Sequence, residues 1–172
     1  MADPSRPVRH VLIASEGRRI SDEVIDLAVD MVRVHGGRAT VLTVARLWGT
    51  SFGLPNPGLK PSKREMDAQK EIMISALDRL HAAGIEAEGH IVTTRNPLKS
   101  IRNQVTKCQC DAIIMGADPR RSWIVRPMMW SQEPYRVQAA VPVPVHLVCL
   151  GQSPSGPSRG RTKRAGMAAA KP

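Results

Sequence analysis

Short apolar runs alternate with amphipathic segments along this sequence, and no other feature constrains its fold as strongly. The first run, residues 8–14, is largely apolar and rich in β-branched residues, as is typical of a strand buried on both faces. Further strands are predicted at 38–44, 87–93 and 111–116, and a last one begins at Val143 and ends at Leu150. Strands that alternate with helices pair in parallel through right-handed crossovers. The predicted fold is therefore α/β, with a single open five-stranded parallel sheet and helices on both faces.

Helix signals occupy the intervals between these strands. Ser21 is followed by two acids, which is the pattern of an N-cap with carboxylates in the first turn. Asn96 and Pro97 open a later helix, because proline is tolerated in the first turn. Two more helices are predicted at 63–83 and 131–140. The apolar stripes that three of these helices would bury are Ile20, Val24, Leu27 and Met31; Met66, Met73, Leu77 and Leu80; and Leu98, Ile101, Val105 and Cys108.

Charge and composition divide the chain into an arm, a domain and a tail. Residues 1–7 form the N-terminal arm, and residues 8–150 form the α/β domain, in which the Gly- and Pro-rich stretch 48–62 predicts a long loop. Residues 151–172 show no apolar periodicity and cannot bury enough surface to offset the entropy of ordering, so a disordered tail is predicted. The chain has a net charge of +10, and the tail supplies five basic residues and no acidic one.

Cysteine usage and hydropathy exclude several classes of protein. The three cysteines, Cys108, Cys110 and Cys149, form no regular framework, which argues against a secreted disulfide scaffold. Cys108 continues an apolar helical stripe, so core packing is the preferred interpretation over a metal ligand, and no metal site is predicted. The N-terminus lacks the apolar core of a signal peptide, and no apolar run reaches the ~20 residues of a membrane span. We therefore expect a cytoplasmic protein that does not enter a membrane.

Polar residues and glycines follow the first and fourth predicted strands. Ser15, Glu16 and Gly17 end the first run, and Gly116 and Asp118 lie at the end of the fourth. Ligands of parallel sheets bind beyond the carboxyl ends of the strands, where the strand order reverses. These two strand ends are therefore the candidate binding site. The carboxylates of Glu16 and Asp118 could perform acid–base chemistry. Such groups more commonly cap a turn or hold a ribose hydroxyl, so no catalytic residue is assigned.

Four segments of the chain resemble the universal stress protein family. They are VLIASEG at 11–17, residues 84–97, DAIIMGA at 111–117, and AAVPVPVHLV at 139–148. Each segment is unspecific alone, but their order and spacing are similar to those of the family over nearly the whole predicted domain. The resemblance implies a nucleotide-binding type of α/β fold with strand order 3-2-1-4-5. It also implies homodimers that pair through the last strand.

The resemblance further implies a test for ATP binding. Members of the family that bind ATP carry G-x-x-G, nine residues, and then G-S or G-T after the fourth strand. Gly116 fits the first glycine, but Pro119 and Met129 stand where the next two glycines are required. A proline has no N–H to offer a phosphate, so the ATP site is predicted to be degenerate. The residues that could still contact a nucleotide are Glu16, Gly17, Gly116, Asp118, Arg120, Arg121, Arg126 and Ser131.

Three functions of different classes stay open. The preferred hypothesis is a non-enzymatic stress-response or regulatory protein without a cofactor, which dimerises and docks an unknown protein partner. The alternative is a protein that binds ATP or another nucleotide and hydrolyses it slowly at most. The third is a protein whose basic tail binds nucleic acid non-specifically, in which case affinity would fall steeply with salt and would be lost on deletion of residues 151–172.

Overall fold

The structure, a computed structural model, describes residues 7–46, 50–51, 54–55, 60–117 and 133–149. The strands and helices of these residues alternate along the chain. They are β1 (His10–Ser15), α1 (Asp22–Arg33), β2 (Arg38–Arg46), β3 (Thr50–Ser51), β4 (Leu54–Pro55), α2 (Lys63–Ala82), β5 (Glu86–Thr94), α3 (Pro97–Cys108), β6 (Ala112–Ala117), α4 (Glu133–Ala140) and β7 (Val145–Cys149).

Five strands form one parallel sheet in the order β5-β2-β1-β6-β7. When only the strands of this sheet are numbered along the chain, leaving out β3 and β4, the order is 3-2-1-4-5. The predicted fold and strand order are therefore confirmed. The order reverses between β1 and β6, which lie side by side at the centre. The segment predicted as a loop, 48–62, also contains two short strands. β3 and β4 pair antiparallel as a separate two-stranded ladder.

Helices cover both faces of the sheet and create two apolar clusters. On one face, α1 and α2 bury Val24, Ile25 and Leu80 against β1 and β2. On the other face, α3 and α4 bury Ile101 and Val137 against the opposite side of the same strands. A central strand between two helical layers has no solvated face, and all six residues of β1 are buried, which explains its largely apolar sequence.

Three strands begin later than the sequence predicts, β6 by one residue, and the delays of β1 and β7 each have a local cause. β1 begins at His10 rather than at residue 8, because the Asp111 carboxylate, not a neighbouring strand, accepts the N–H groups of Arg9 and His10. β7 begins at Val145 rather than at Val143, since Pro144 has no N–H for the ladder. Leu150, the predicted end of the last strand, lies outside the described residues.

Three of the predicted helix starts correspond to observed N-caps, and the fourth, at residue 131, lies outside the described residues. The Ser62 hydroxyl accepts the Glu65 N–H at 3.1 Å, and the Asn96 side chain accepts the Lys99 N–H at 3.0 Å. Ser21 occupies the N-cap position of α1 in extended conformation, but its side chain makes no capping hydrogen bond to the helix backbone. Within the part of the chain that the structure describes, no helix is both long and apolar enough to cross a bilayer.

A chain of polar side chains crosses the amino-terminal edge of the sheet. The His10 ring is 6% exposed, and its Nε2 lies 2.8 Å from the Thr40 hydroxyl, which donates in turn to Glu88 at 3.2 Å. Because the hydroxyl proton serves Glu88, the proton between His10 and Thr40 belongs to His10 Nε2. Burial, and then the charge of Arg38, lower the pKa of His10, although the Cys108 carbonyl, Glu88 and Asp111 act in the opposite direction.

The lowered pKa of His10 predicts that the fold loses stability in mild acid. Below the ordinary histidine pKa of about 6.5, the unfolded chain takes up a proton that the folded ring resists, so unfolding is favoured as the pH falls. We expect the free energy of unfolding to fall less between pH 7.5 and pH 5.5 in His10→Gln than in the wild type, as measured by urea denaturation. His35→Gln, which removes an exposed imidazole, is the matched control. Equal pH dependence in His10→Gln and the wild type would contradict this account of His10.

Candidate functional site

The carboxyl ends of β1 and β6 form a narrow crevice at the point where the strand order reverses. Ser15 and Glu16 line it from the end of β1, Gly116 lines it from β6, and Val24 lines it from the first turn of α1. The parallel pairing of β1 with β6 places these residues together, although a hundred positions separate Glu16 from Gly116 in the sequence. The structure thus puts residues from both predicted strand ends in one crevice, and their role in binding stays a prediction.

An ion pair holds the Glu16 carboxylate inside this crevice. Arg18 Nε donates to Glu16 Oε1 at 2.8 Å, and one terminal nitrogen of the same guanidinium lies 2.5 Å from that oxygen. The Glu16 side chain is only 3% exposed. The Ser15 hydroxyl donates a hydrogen bond to the Arg18 carbonyl. This bond holds the turn that brings Arg18 back toward Glu16. A buried carboxylate requires such a partner, since an isolated charge would lose its hydration without compensation.

Gly17 is required by the geometry of the turn after β1. Its φ is +104°, a region that side chains with a Cβ rarely adopt, and an added Cβ would lie 2.9 Å from the Val44 carbonyl oxygen. Gln69 of α2 stabilises the same turn by donating its Nε2 to the Gly17 carbonyl at 3.1 Å. Gly17 therefore allows β2 and α2 to approach the end of β1 closely.

The space left in the crevice is small. The residues described around it enclose about 10 Å³, which is the volume that a single water requires. Small-molecule sites usually offer about 300–1,000 Å³. Among the described residues, the ion pair of Glu16 with Arg18 lies in this narrow space together with Gly116.

Most of the other predicted site residues fall in one segment. Asp118, Arg120, Arg121, Arg126 and Ser131 all lie outside the described residues, as do Pro119 and Met129. Their contribution to the crevice therefore stays a prediction.

Three residues near the crevice were not among the predicted site residues. Arg18 was missed although it stands two positions after Glu16, a spacing at which a turn can bring two side chains together. Gln69 was also missed, and its signal is a polar residue within the apolar stripe of α2, where it is 5% exposed. Thr43, fully buried beside Ser15 in the register of β1 with β2, carries no sequence signal of its own.

Comparison with protein families gives a single assignment over most of the chain. The sequence model of the universal stress protein family matches residues 7–148, which include all but one of the residues in the main sheet and all four described helices. Comparison with curated protein sequences gives no match.

Solved structures of the same family share the fold at low sequence identity. A universal stress protein of Archaeoglobus fulgidus in complex with dAMP is 18% identical, with a TM-score of 0.58, over 83% of this chain and 98% of that one. A universal stress protein in complex with cAMP is 16% identical, with a TM-score of 0.61, over the same shares of the two chains. A family protein from Burkholderia pseudomallei is 15% identical, with a TM-score of 0.59, over 84% of this chain and 98% of that one.

Proposed function

The chain belongs to the universal stress protein family, and from that premise we propose that it is a non-enzymatic regulatory member whose nucleotide site is degenerate. It acts in the cytoplasm as a homodimer that docks a protein partner. The observation that supports this proposal is the narrow crevice between β1 and β6, which the ion pair of Arg18 with Glu16 lines.

The state of Glu16 also supports a non-enzymatic role. A general acid or base needs a lone pair or a proton within hydrogen-bond reach of the substrate. Both Arg18 contacts converge on Glu16 Oε1, and the side chain is almost fully buried, so substrate cannot approach this oxygen without displacing the guanidinium. A fixed, paired carboxylate of this kind stabilises the turn after β1.

A second candidate function, nucleotide binding, is favoured by two observations. The relatives described above include complexes with dAMP and with cAMP. In this chain, Thr43 Oγ1 and Gln69 Oε1 are buried near the crevice and have no hydrogen-bond partner among the described residues. A ligand that displaced Arg18 and met these atoms would satisfy polar groups whose burial is otherwise costly.

Nucleotide analysis of the purified protein separates the two functions. The protein is heated to release bound small molecules, the supernatant is resolved by ion-exchange chromatography, and phosphate release from added ATP is followed on the same batch. The proposal predicts far less than one nucleotide per protomer and phosphate release at the rate of the buffer. One nucleotide per protomer would favour the second function, and turnover abolished by Glu16→Gln would contradict the non-enzymatic assignment.

The proposed dimer pairs through β7, the last strand of the sheet. Among the described residues, β7 has a neighbour on one side only, which is β6. The Ile113 N–H donates to the Pro144 carbonyl at 2.9 Å, so alternation along a parallel ladder turns the N–H of His146 toward β6 and that of Leu147 outward. An unpaired row of this kind invites a second strand.

Leu147→Pro is expected to weaken the dimer about tenfold or more, because it removes one outward N–H from each subunit and each lost hydrogen bond costs about 1 kcal/mol. Sedimentation velocity over a range of protein concentrations measures the change. Leu147→Ala is the matched control, since it removes the same side chain and keeps the N–H. Equal association of the two variants, or a wild type that is monomeric at every concentration, would contradict pairing through β7.

The basic tail at 151–172 lies outside the described residues, and nucleic-acid binding by it remains a separate proposal that its charge supports. Deletion of the tail tests that proposal without disturbing the sheet. Retention of salt-sensitive DNA binding after the deletion would contradict it.

A further inference from the structure

The helices on the two faces of the sheet carry opposite charge. On one face, α1 contains four acidic residues and one basic residue, and α2 contains four of each kind. On the other face, α3 contains three basic residues and no acidic one, and α4 contains one of each kind. Because charge separated in this way creates a field across the molecule, a polyanion is steered toward the side of α3.

The charged and polar residues of α3 share one side of the helix. A helix turns about 100° per residue, and five exposed residues fall within an arc of about 140°. These residues are called the α3 basic face and are Lys99, Arg102, Asn103, Thr106 and Lys107. Ile101 and Val105 lie on the opposite side of the helix and are buried against the sheet. The α3 basic face therefore presents cations, an amide and a hydroxyl to solvent, without an apolar side chain.

The cations of the α3 basic face are not neutralised by neighbouring carboxylates. Among the described residues, none of Lys99, Arg102 and Lys107 forms an ion pair. On the other side of the sheet, by contrast, Arg79 of α2 pairs with two aspartates of α1. The charge of the α3 basic face is therefore available to a ligand.

Two acidic residues at the amino-terminal edge of the sheet, where α3 ends, have other partners. The Asp111 carboxylate accepts the N–H groups of Arg9 and His10. Glu88 accepts the Thr40 hydroxyl, and it lies 3.7 Å from the imidazole of His90, a residue of its own strand. These contacts hold both carboxylates at the edge of the sheet, so the α3 basic face keeps its positive charge.

The composition of the α3 basic face indicates which polyanion it fits. Protein partners and single-stranded nucleic acids are held largely by aromatic anchors, and this face has none. A membrane-surface helix inserts its apolar side into the lipid, but that side of α3 is buried against the sheet. Duplex DNA requires only cations, because contacts to phosphate supply essentially all of its non-specific binding.

The length of the α3 basic face also suits a duplex. Lys99 and Lys107 are eight residues apart, which corresponds to about 12 Å along the helix axis. The major groove of B-DNA is about 12 Å wide. The two lysines can therefore reach phosphates on both sides of one groove, while Arg102 lies between them.

We propose that the α3 basic face binds the phosphate backbone of duplex DNA without sequence preference. This surface is independent of the crevice and of the basic tail at 151–172. Lys99, Arg102 and Lys107 each contact a phosphate and release condensed counterions, and such contacts carry no sequence information. The expected dissociation constant is about 10⁻⁴–10⁻⁶ M at physiological salt, and it rises as salt is added.

The salt dependence of DNA binding tests this proposal on the full-length chain. Fluorescence anisotropy of a labelled duplex is measured over a range of NaCl concentrations, and circular dichroism confirms that each variant is folded. The variant of the face is Lys99→Gln/Arg102→Gln/Lys107→Gln. The matched control removes the same charge from three exposed residues of α2 and is Lys63→Gln/Arg64→Gln/Lys70→Gln.

The two variants are expected to differ in the slope of log K against log salt concentration. The slope of the α3 variant should be about 2.7 smaller in magnitude than that of the wild type, which is about 0.9 for each lost phosphate contact. The α2 control should keep the wild-type slope, because it retains every contact to DNA. Lys99→Arg/Lys107→Arg should also keep it, since both cations remain.

Three results would overturn the proposal. Equal slopes in the α3 variant and the α2 control would assign the binding to the tail or to net charge alone. A wild type that binds no duplex at the lowest salt concentration would show that the face does not bind DNA. Sedimentation with vesicles of phosphatidylserine and phosphatidylcholine supplies the third, in which the α3 variant loses vesicle binding and keeps the duplex affinity of the wild type.

Discussion

Replacement of Gly37 by alanine is expected to lower the free energy of unfolding by about 3 kcal/mol, at the upper end of the usual cost of overpacking. An added Cβ would lie 2.9 Å from the carbonyl carbon of Arg9 and 3.0 Å from its Cα, and closer still to the carbonyl oxygen. These are backbone atoms that cannot move aside, because the Arg9 carbonyl accepts the Arg38 N–H at 2.8 Å at the start of the β1–β2 ladder. Urea denaturation followed by circular dichroism measures the loss.

The adjacent glycine supplies the control for this prediction. Gly36 has a φ of +59°, and an added Cβ would meet no heavy atom within 4 Å. Gly36→Ala therefore adds the cost of a left-handed residue, about 1 kcal/mol, without a collision. The same loss in Gly36→Ala and Gly37→Ala would show that contact with Arg9 does not limit position 37.

Replacement of Asp111 by alanine is expected to lower the free energy of unfolding by about 2 kcal/mol. Its Oδ2 accepts the N–H of Arg9 and the N–H of His10, each at 2.9 Å, and the Asp111 N–H donates to the His10 carbonyl at 2.8 Å. The carboxylate thereby joins the first residues of two central strands that are distant in the sequence. Alanine would leave two backbone donors without their charged acceptor, and hydrogen bonds to charged acceptors are the stronger kind.

Asp111→Asn separates the charge of the side chain from its shape. The amide keeps one oxygen that can accept the same two N–H groups, so we expect about half the loss seen in Asp111→Ala. Thermal unfolding of the three proteins at one pH provides the comparison. A loss in Asp111→Asn as large as that in Asp111→Ala would indicate that the carboxylate charge, rather than the presence of an acceptor oxygen, stabilises this edge.

The fold could be predicted from the sequence because the information for it is local. The apolar run before Ser15 and the run before Gly116 are each dense enough to mark a central strand, and alternation with helical stripes makes the sheet parallel. The strand order came from the resemblance to a family. The strand starts could not be predicted as well, because they depend on partners such as Asp111, which acts across the sheet.

The meeting of the ends of β1 and β6 in one crevice could be predicted from the sequence, but the side-chain contacts there could not. The ends of β1 and β6 are recognisable because ligands of parallel sheets bind there. The pairing of Glu16 with Arg18 depends on how the turn after β1 folds, and the position of Gln69 depends on how α2 packs against that turn. Side-chain interactions of this kind depend on the three-dimensional arrangement, so the small volume that the described residues leave in the crevice has no sequence signal.

Calorimetric titration tests the proposed degeneracy of the nucleotide site most directly. ATP and dAMP are titrated into the purified protein, with the Archaeoglobus fulgidus relative described in complex with dAMP as the positive control for that ligand. With the ion pair of Glu16 and Arg18 in place, we predict no saturable heat for either nucleotide at ligand concentrations up to the millimolar range, while the relative binds dAMP. Saturable micromolar binding by this chain would contradict the account, because it would show that Arg18 leaves Glu16 when a nucleotide arrives.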